Sequence, residues 1–280
     1  MVPPSSLVDW LRRHDRDRYL AALFAPADRR AAVVALYAFN SEIAKTREVV
    51  TEPLLGRIRL QWWREAIDEV YGGGAVRAHE VTTPLAAAIR EHRLSGEHFD
   101  AMIDARELDL ADEPPATLSA LEGYCAATSG RLQCLVLEAL GVRDDDAAKA
   151  AREIGVAYAL VGLIRAVPFH AQARRRYIPA ETAGEVGLDL GTLFELRPSP
   201  ALAQAVRRLA AQAREHLASA RSRRSHIPKA ALPALLPARI ASGYLGDIAA
   251  VDGNVFDPRL AARANRTVLR LAWGAATRQY

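Results

Sequence analysis

The sequence is poor in cysteine, lysine and aromatic residues, and it has no long apolar run. Cys125 and Cys134 are nine apart, with neither a CxxC pair nor a paired histidine. That excludes a disulfide framework and a thiolate zinc site, and it suits a reducing compartment. No apolar segment reaches the roughly 18 residues that a membrane-spanning helix needs. The opening MVPPSSLVDWLRRHD has no apolar signal core. The expectation is a cytoplasmic protein, with peripheral contact to the inner membrane of a bacterium left open. Gly72, Gly73 and Gly74 lack the GK[ST] that would make them a phosphate loop. Lysine occurs only at Lys45, Lys149 and Lys229, so the net charge of +4 is carried almost wholly by arginine. The charge is mild and dispersed, which argues against nucleic acid. It leaves genomic base composition or an anionic partner such as a diphosphate or lipid headgroup.

What is present favours helix. Half the residues are hydrophobic, enough for a substantial core. Alanine, leucine and arginine dominate between breakers, and these lose little side-chain freedom in a helix. No stretch alternates with the period of a strand, and there is no internal repeat. The breakers predict helices over 7–24, from a cap at Asp28 to before Pro53, over 54–71, 83–94 and 97–110. Further helices are expected over 117–140, from Asp144 to about Arg174, over 199–221, and from Pro258 through Trp273. Residues 180–196 read as a loop, and 227–244 as a segment broken by Pro228, Pro233 and Pro237. No composition shift marks a boundary. The reading is a single all-α domain over residues 1–280, a multi-helix bundle.

One stretch is unlike an ordinary core helix. From Gly155 to Pro179 an apolar run passes into Arg165, His170, Arg174, Arg175 and Arg176, then Tyr177. Arginines here suit bidentate phosphate contacts; a solvated helix end whose cations complement the dipole has the same composition. His170 has no second ligand on its helix, so it reads as a hydrogen-bonding residue as readily as a base. On the 54–71 helix, Trp62 and Trp63 are candidates for partner anchors or for lining a cavity; one of two adjacent tryptophans on an amphipathic helix normally faces the core.

The order of these segments resembles the squalene/phytoene synthase family. Tyr37-Ala38-Phe39, Tyr124-Cys125 with Gly130, and Leu163-Ile164-Arg165 followed by Arg175 and Tyr177-Ile178-Pro179 match its motifs along most of the chain. The resemblance implies the isoprenoid synthase fold. In the family, two DxxxD motifs hold magnesium ions that bind substrate diphosphates. Here the first motif aligns with Ala44-Lys45-Thr46-Arg47-Glu48 and the second with Ala166-Val167-Pro168-Phe169-His170. Four carboxylate positions are reduced to Glu48 alone. Alanine is no ligand and imidazole is a poor magnesium ligand, so the magnesium site is expected to be lost, with no cofactor in its place. The acidic run Glu107, Asp109, Asp112 lies elsewhere, before Pro114-Pro115, and does not restore the second motif.

The run from Ala38 to Tyr71, the segment Arg165 to His170, and His226-Ile227-Pro228-Lys229-Ala230 are similar to the respiratory complex I assembly factor 6 subfamily and its bacterial relatives. That similarity implies a role in assembly of the NADH:ubiquinone oxidoreductase, with its subunits or assembly intermediates as partners; the empty carboxylate positions make the leading reading a non-catalytic one. A lipid or isoprenoid held in the old cavity is one further outcome. The residues expected to face it are Arg165, His170, Arg175, Tyr177, Asn40 and Glu48, the last two eight apart and so on one helix side. The alternative is a prenyl transferase acting on isoprenoid diphosphates.

Overall fold

A computed structural model describes residues 4–50, 52–262, 267–277 and 279–280. Among them there is helix and no strand. The amino-terminal part comprises α1 (Pro4–His14), α2 (Arg16–Ala22), α3 (Ala27–Ala44), α4 (Thr46–Val49), α5 (Pro53–Tyr71), α6 (Thr82–His92) and α7 (Gly96–Ala105). A 3₁₀ turn, Arg106–Leu110, leads to α8 (Leu118–Cys125), a π turn (Ala126–Gly130) and α9 (Arg131–Ala139). Then come α10 (Asp145–Arg165), α11 (Val167–Gln172), α12 (Ala180–Glu185), α13 (Leu190–Phe194) and α14 (Pro200–Ser222). The chain closes with α15 (Leu232–Leu235), α16 (Pro237–Ala249), α17 (Arg259–Ala262) and α18 (Thr267–Thr277). No helix among the described residues is long and apolar enough to cross a membrane.

Three of the expected helix starts carry a side-chain cap. The side chains of Thr117, Asp144 and Ser199 accept from the amides of Ala120, Ala147 and Leu202. Each satisfies a donor that a helix start would otherwise leave unpaired. Other boundaries differ. The expected 7–24 helix is two helices, because Asp15 leaves helical geometry and caps α2 by accepting from the Arg18 amide. Pro26, not Asp28, is the residue that opens α3. The helix expected to run to Arg174 ends at Arg165. Pro168 sits in the first turn of α11, where its missing N–H costs nothing. The 97–110 helix tightens to a 3₁₀ turn after Ala105. Residues 180–196 are not a bare loop but carry α12 and α13, the latter capped by Asp189. The continuity of the last helix between α17 and α18 lies outside the described residues.

The core is built round α10, which packs along α14 and against α8, α9 and α16. Ala147, Ala150, Ala151, Ile154, Leu160 and Ile164 supply its buried face. A close crossing fixes its position. A Cβ on Gly155 would lie 2.4 Å from the Ser129 carbonyl oxygen and 2.6 Å from Gly130 Cα. Backbones approach that closely only where a side chain is missing. The π turn is therefore seated directly on α10.

Candidate functional site

Both segments that align with the aspartate-rich motifs fall on helix joints. Lys45 ends α3 and Ala166 ends α10, each with ψ near zero. At the first joint the structure separates Asn40 from Glu48. Asn40 is buried on α3 with its Oδ1 unpartnered, whereas Glu48 on α4 is exposed. The eight-residue spacing does not put them on one side, because the helix is interrupted between them. The buried carboxylate here is Glu42. It takes the Lys45 ammonium and, at 2.6 Å, the Arg59 guanidinium. Lys45 also lies 5.2 Å from the centre of the Trp10 ring.

At the second joint Arg165 turns away from the other candidates. Its guanidinium lies 3.6 Å from the centre of the Tyr244 ring, and Nη1 is 3.6 Å from Asp17. Tyr244 donates to the same carboxylate at 2.7 Å. Arg165 thus joins α10 to α2 and α16 and is spoken for inside the protein. His170, Arg175 and Tyr177 do come together. The rings of His170 and Tyr177 are 4.7 Å apart, and the Arg175 Cζ is 6.0 Å from the Tyr177 ring centre. Arg174 has a left-handed backbone (φ 55°) that closes α11 and leaves its side chain outside, over Phe194.

What gathers this group is Asp109, in the acidic segment expected to lie apart from the site. Its carboxylate accepts from the hydroxyls of Tyr177 (2.6 Å) and Tyr124 (2.8 Å) and from Arg106 Nη1 (3.2 Å). Its main-chain carbonyl accepts from Arg175. Three residues on, Asp112 takes Arg47 of α4 at 3.3 Å. The 106–113 segment thus carries cations from both joints. A cavity of about 260 Å³ opens beside it, lined by Leu108, Pro114, Tyr124, Arg175, Arg176 and Tyr177 among others. The sequence signal for Asp109 was a lone carboxylate in an otherwise apolar Leu-Asp-Leu. Nothing local showed that tyrosines 15 and 68 residues away would point at it.

Burial sets the protonation of this group. It drives the His170 imidazole down to about 4, and the Arg175 charge acts in the same direction while Asp109 opposes it. His170 is therefore neutral at neutral pH, and its Nδ1 has no partner among the described residues. Burial, reinforced by Asp109, raises both tyrosine hydroxyls, so they remain donors. The cations that stay available to an anion are Arg175 and Arg176.

The donor set does not fit magnesium. Glu48 is exposed and alone, Ala44 and Ala166 offer no atom, and the lone pairs of Glu42 and Asp109 are taken by cations and hydroxyls. Among the described residues no three His, Cys, Asp or Glu side chains are grouped to hold a metal ion.

Trp63 is the core-facing indole and Trp62 its half-buried neighbour. With His79, Arg59, Leu55 and Ile58 they line a cavity of about 320 Å³. Trp62 and Trp63 pack edge to face at 5.0 Å, and both contact the His79 ring. Leu54, Leu55 and Ile58 beside them are exposed.

Comparison with known proteins places these features. A sequence model described as Squalene/phytoene synthase matches residues 11–267. The chain is 33% identical to "NADH dehydrogenase (ubiquinone) complex I, assembly factor 6" of Mus musculus, covering 92% of this chain and 78% of that protein. It is 34% identical to the protein so named in Bos taurus, covering 90% and 76%. A "Presqualene diphosphate synthase" of Sinorhizobium fredii is 27% identical over 71% of each chain. Among solved structures, a dehydrosqualene synthase in complex with ligand superposes with a TM-score of 0.85 at 20% identity, covering 98% of this chain and 95% of that one. The squalene synthase of Alicyclobacillus acidocaldarius gives 0.77 at 19%, covering 89% and 94%. The fold is thus the all-α isoprenoid synthase fold.

Proposed function

Because the chain belongs to the squalene/phytoene synthase family, we propose that it is a non-catalytic member of it, one all-α domain that assists assembly of respiratory complex I. The observation that carries this reading is the chemistry at the two helix joints. Diphosphate ionisation in this fold needs hard oxygen donors facing the leaving group. Here those positions hold Ala44, a single exposed Glu48, Ala166 and a neutral His170. The names of the relatives at 33% and 34% identity support the assembly role. Complex I subunits or assembly intermediates are the partners in this reading, and the protein works at the cytoplasmic face of a bacterial inner membrane, in peripheral contact with it. The half-buried Trp62 beside exposed Leu55 and Ile58 is suited to such a contact, since an indole buries apolar area while its N–H stays paired. A lipid or isoprenoid would sit against Arg175 and Tyr177 without magnesium.

Deleting the gene and measuring membrane NADH:quinone reductase activity tests the assembly role; a several-fold loss is expected, and unchanged activity would overturn it. Incubating the purified protein with farnesyl or geranylgeranyl diphosphate and magnesium tests the alternative. The expected result is no diphosphate release. Turnover would make the protein a prenyl transferase after all.

A further inference from the structure

A third cavity lies far along the chain from Asp109, where α14 ends and two 3₁₀ turns, Arg224–His226 and Lys229–Ala231, follow. Its volume is about 370 Å³, and its lining includes Ile227, Pro228, Lys229, Leu232, Leu235 and Tyr280. Ligand pockets for small molecules start at roughly this size, about 300 Å³. We propose that this cavity binds a single-chain amphiphile with an anionic head, its chain on the leucines and its head at Lys229 and the Tyr280 hydroxyl.

Three observations carry the assignment. The first is the wall: Ile227 and Leu232 are half-buried, and Leu235 is buried at 1% exposure. Such a surface takes an alkyl chain and gives nothing to a purely polar solute. The second is Tyr280. Its side chain is 6% exposed, yet its hydroxyl has no hydrogen-bond partner among the described residues. A buried hydroxyl without a partner is costly unless a ligand or water completes it. The residue is not loosely placed. Arg221 Nε donates to the Tyr280 carbonyl oxygen at 2.7 Å, and the Gln279 amide donates to Gly274 at 2.9 Å. Burial also raises this hydroxyl, so it offers a proton to an anion rather than a charge against it. The third is Lys229, an exposed ammonium on the rim that no described carboxylate pairs. A strongly hydrated point charge at the mouth of a cavity whose lining is about half polar and half apolar suits a ligand with a chain at one end and a head that stays half in water. Arg224 adds a second positive charge to the same lining.

The inference also gives a use to His226-Ile227-Pro228-Lys229-Ala230, which the Asp109 site leaves unused. Pro228, with its extended backbone (ψ 145°), turns the chain so that Ile227 and Lys229 both reach one cavity. The proposal is independent of the assembly role, since either can fail alone.

Calorimetric titration of the whole protein with decanoate, decyl phosphate, decanol and inorganic phosphate tests it. Decanoate and decyl phosphate are expected to bind, with decanol at least about tenfold weaker and inorganic phosphate showing no binding, because both chain and charge are needed. Lys229→Gln, at an exposed position, is expected to weaken the charged amphiphiles about tenfold, and Tyr280→Phe about threefold. Binding of inorganic phosphate alone would reassign the cavity to a free anion and overturn the proposal. So would equal affinity for decanol, wild-type affinity in both variants, or no binding of any amphiphile.

Discussion

Glu42 and Asp109 are both buried carboxylates, 3% and 4% exposed, and both are held by arginine. Their surroundings differ in one respect that matters. Glu42 faces only cations, Lys45 and Arg59, whose side chains are 34% and 31% exposed. Those charges reach water by a small rotation. Asp109 faces two tyrosine hydroxyls and Arg106, whose side chain is 12% exposed. These donors have nowhere else to turn. One carboxylate is a clamp between α3 and α5 at the rim. The other is the acceptor round which α8, the 3₁₀ turn and the chain after α11 are assembled. The comparison teaches that burial of a carboxylate does not by itself make it a centre; the exposure of its partners decides that.

The sharpest way to break this comparison is Asp109→Ala. It leaves the Tyr124 and Tyr177 hydroxyls without their acceptor and Arg106 with the Tyr124 oxygen but no carboxylate, and removing one member of a buried charged set costs about 3–5 kcal/mol. Urea denaturation is expected to show that loss, and a loss under about 1 kcal/mol would put Asp109 on a par with the rim. Asp109→Asn is expected to cost less, because its amide oxygen still accepts from the tyrosines. The next effect in size is a pH dependence. His170, packed on Tyr177, is held down at about 4 in the folded protein, against 6.5 for the free side chain. Between those values the unfolded chain binds the proton and the folded one does not. Stability contributed by neutral His170 is therefore full above about pH 6.5 and is lost as pH falls toward 4. After allowing for the partial exposure of the ring, this amounts to about 1–2 kcal/mol. His170→Gln is expected to flatten that part of the stability profile; an unchanged slope would place the titration elsewhere. The smallest effect is Glu42→Gln. Its cations hydrate once released, so the expected loss is about 1 kcal/mol. A loss matching Asp109→Ala would erase the distinction between rim and centre.

Much of the fold was legible because helices announce themselves locally. Thr117, Asp144 and Ser199 cap where they stand, and the prolines mark first turns as their chemistry requires. The positions without metal donors were equally plain, since no packing supplies a carboxylate where the chain has Ala44 or Ala166. The grouping of His170, Arg175 and Tyr177 followed from their closeness in sequence. The breaks at Asp15 and Ala166 were not legible, because each trades a few helical hydrogen bonds for a tertiary fit. Nor was the parting of Arg165 from its expected neighbours, which depends on Asp17 and Tyr244 arriving from other helices.

By itself, then, the sequence determined the helical class and most helix starts. Those are properties of short windows and of single side chains. Only the tertiary structure decided that Asp109, and not Glu48, is the buried acceptor of the candidate site. Its partners Tyr124 and Tyr177 lie 15 and 68 residues away. Tyr124 precedes the π turn that is seated on α10 at Gly155 and Tyr177 follows α10, and such a seating is a matter of backbone distance which no local pattern records.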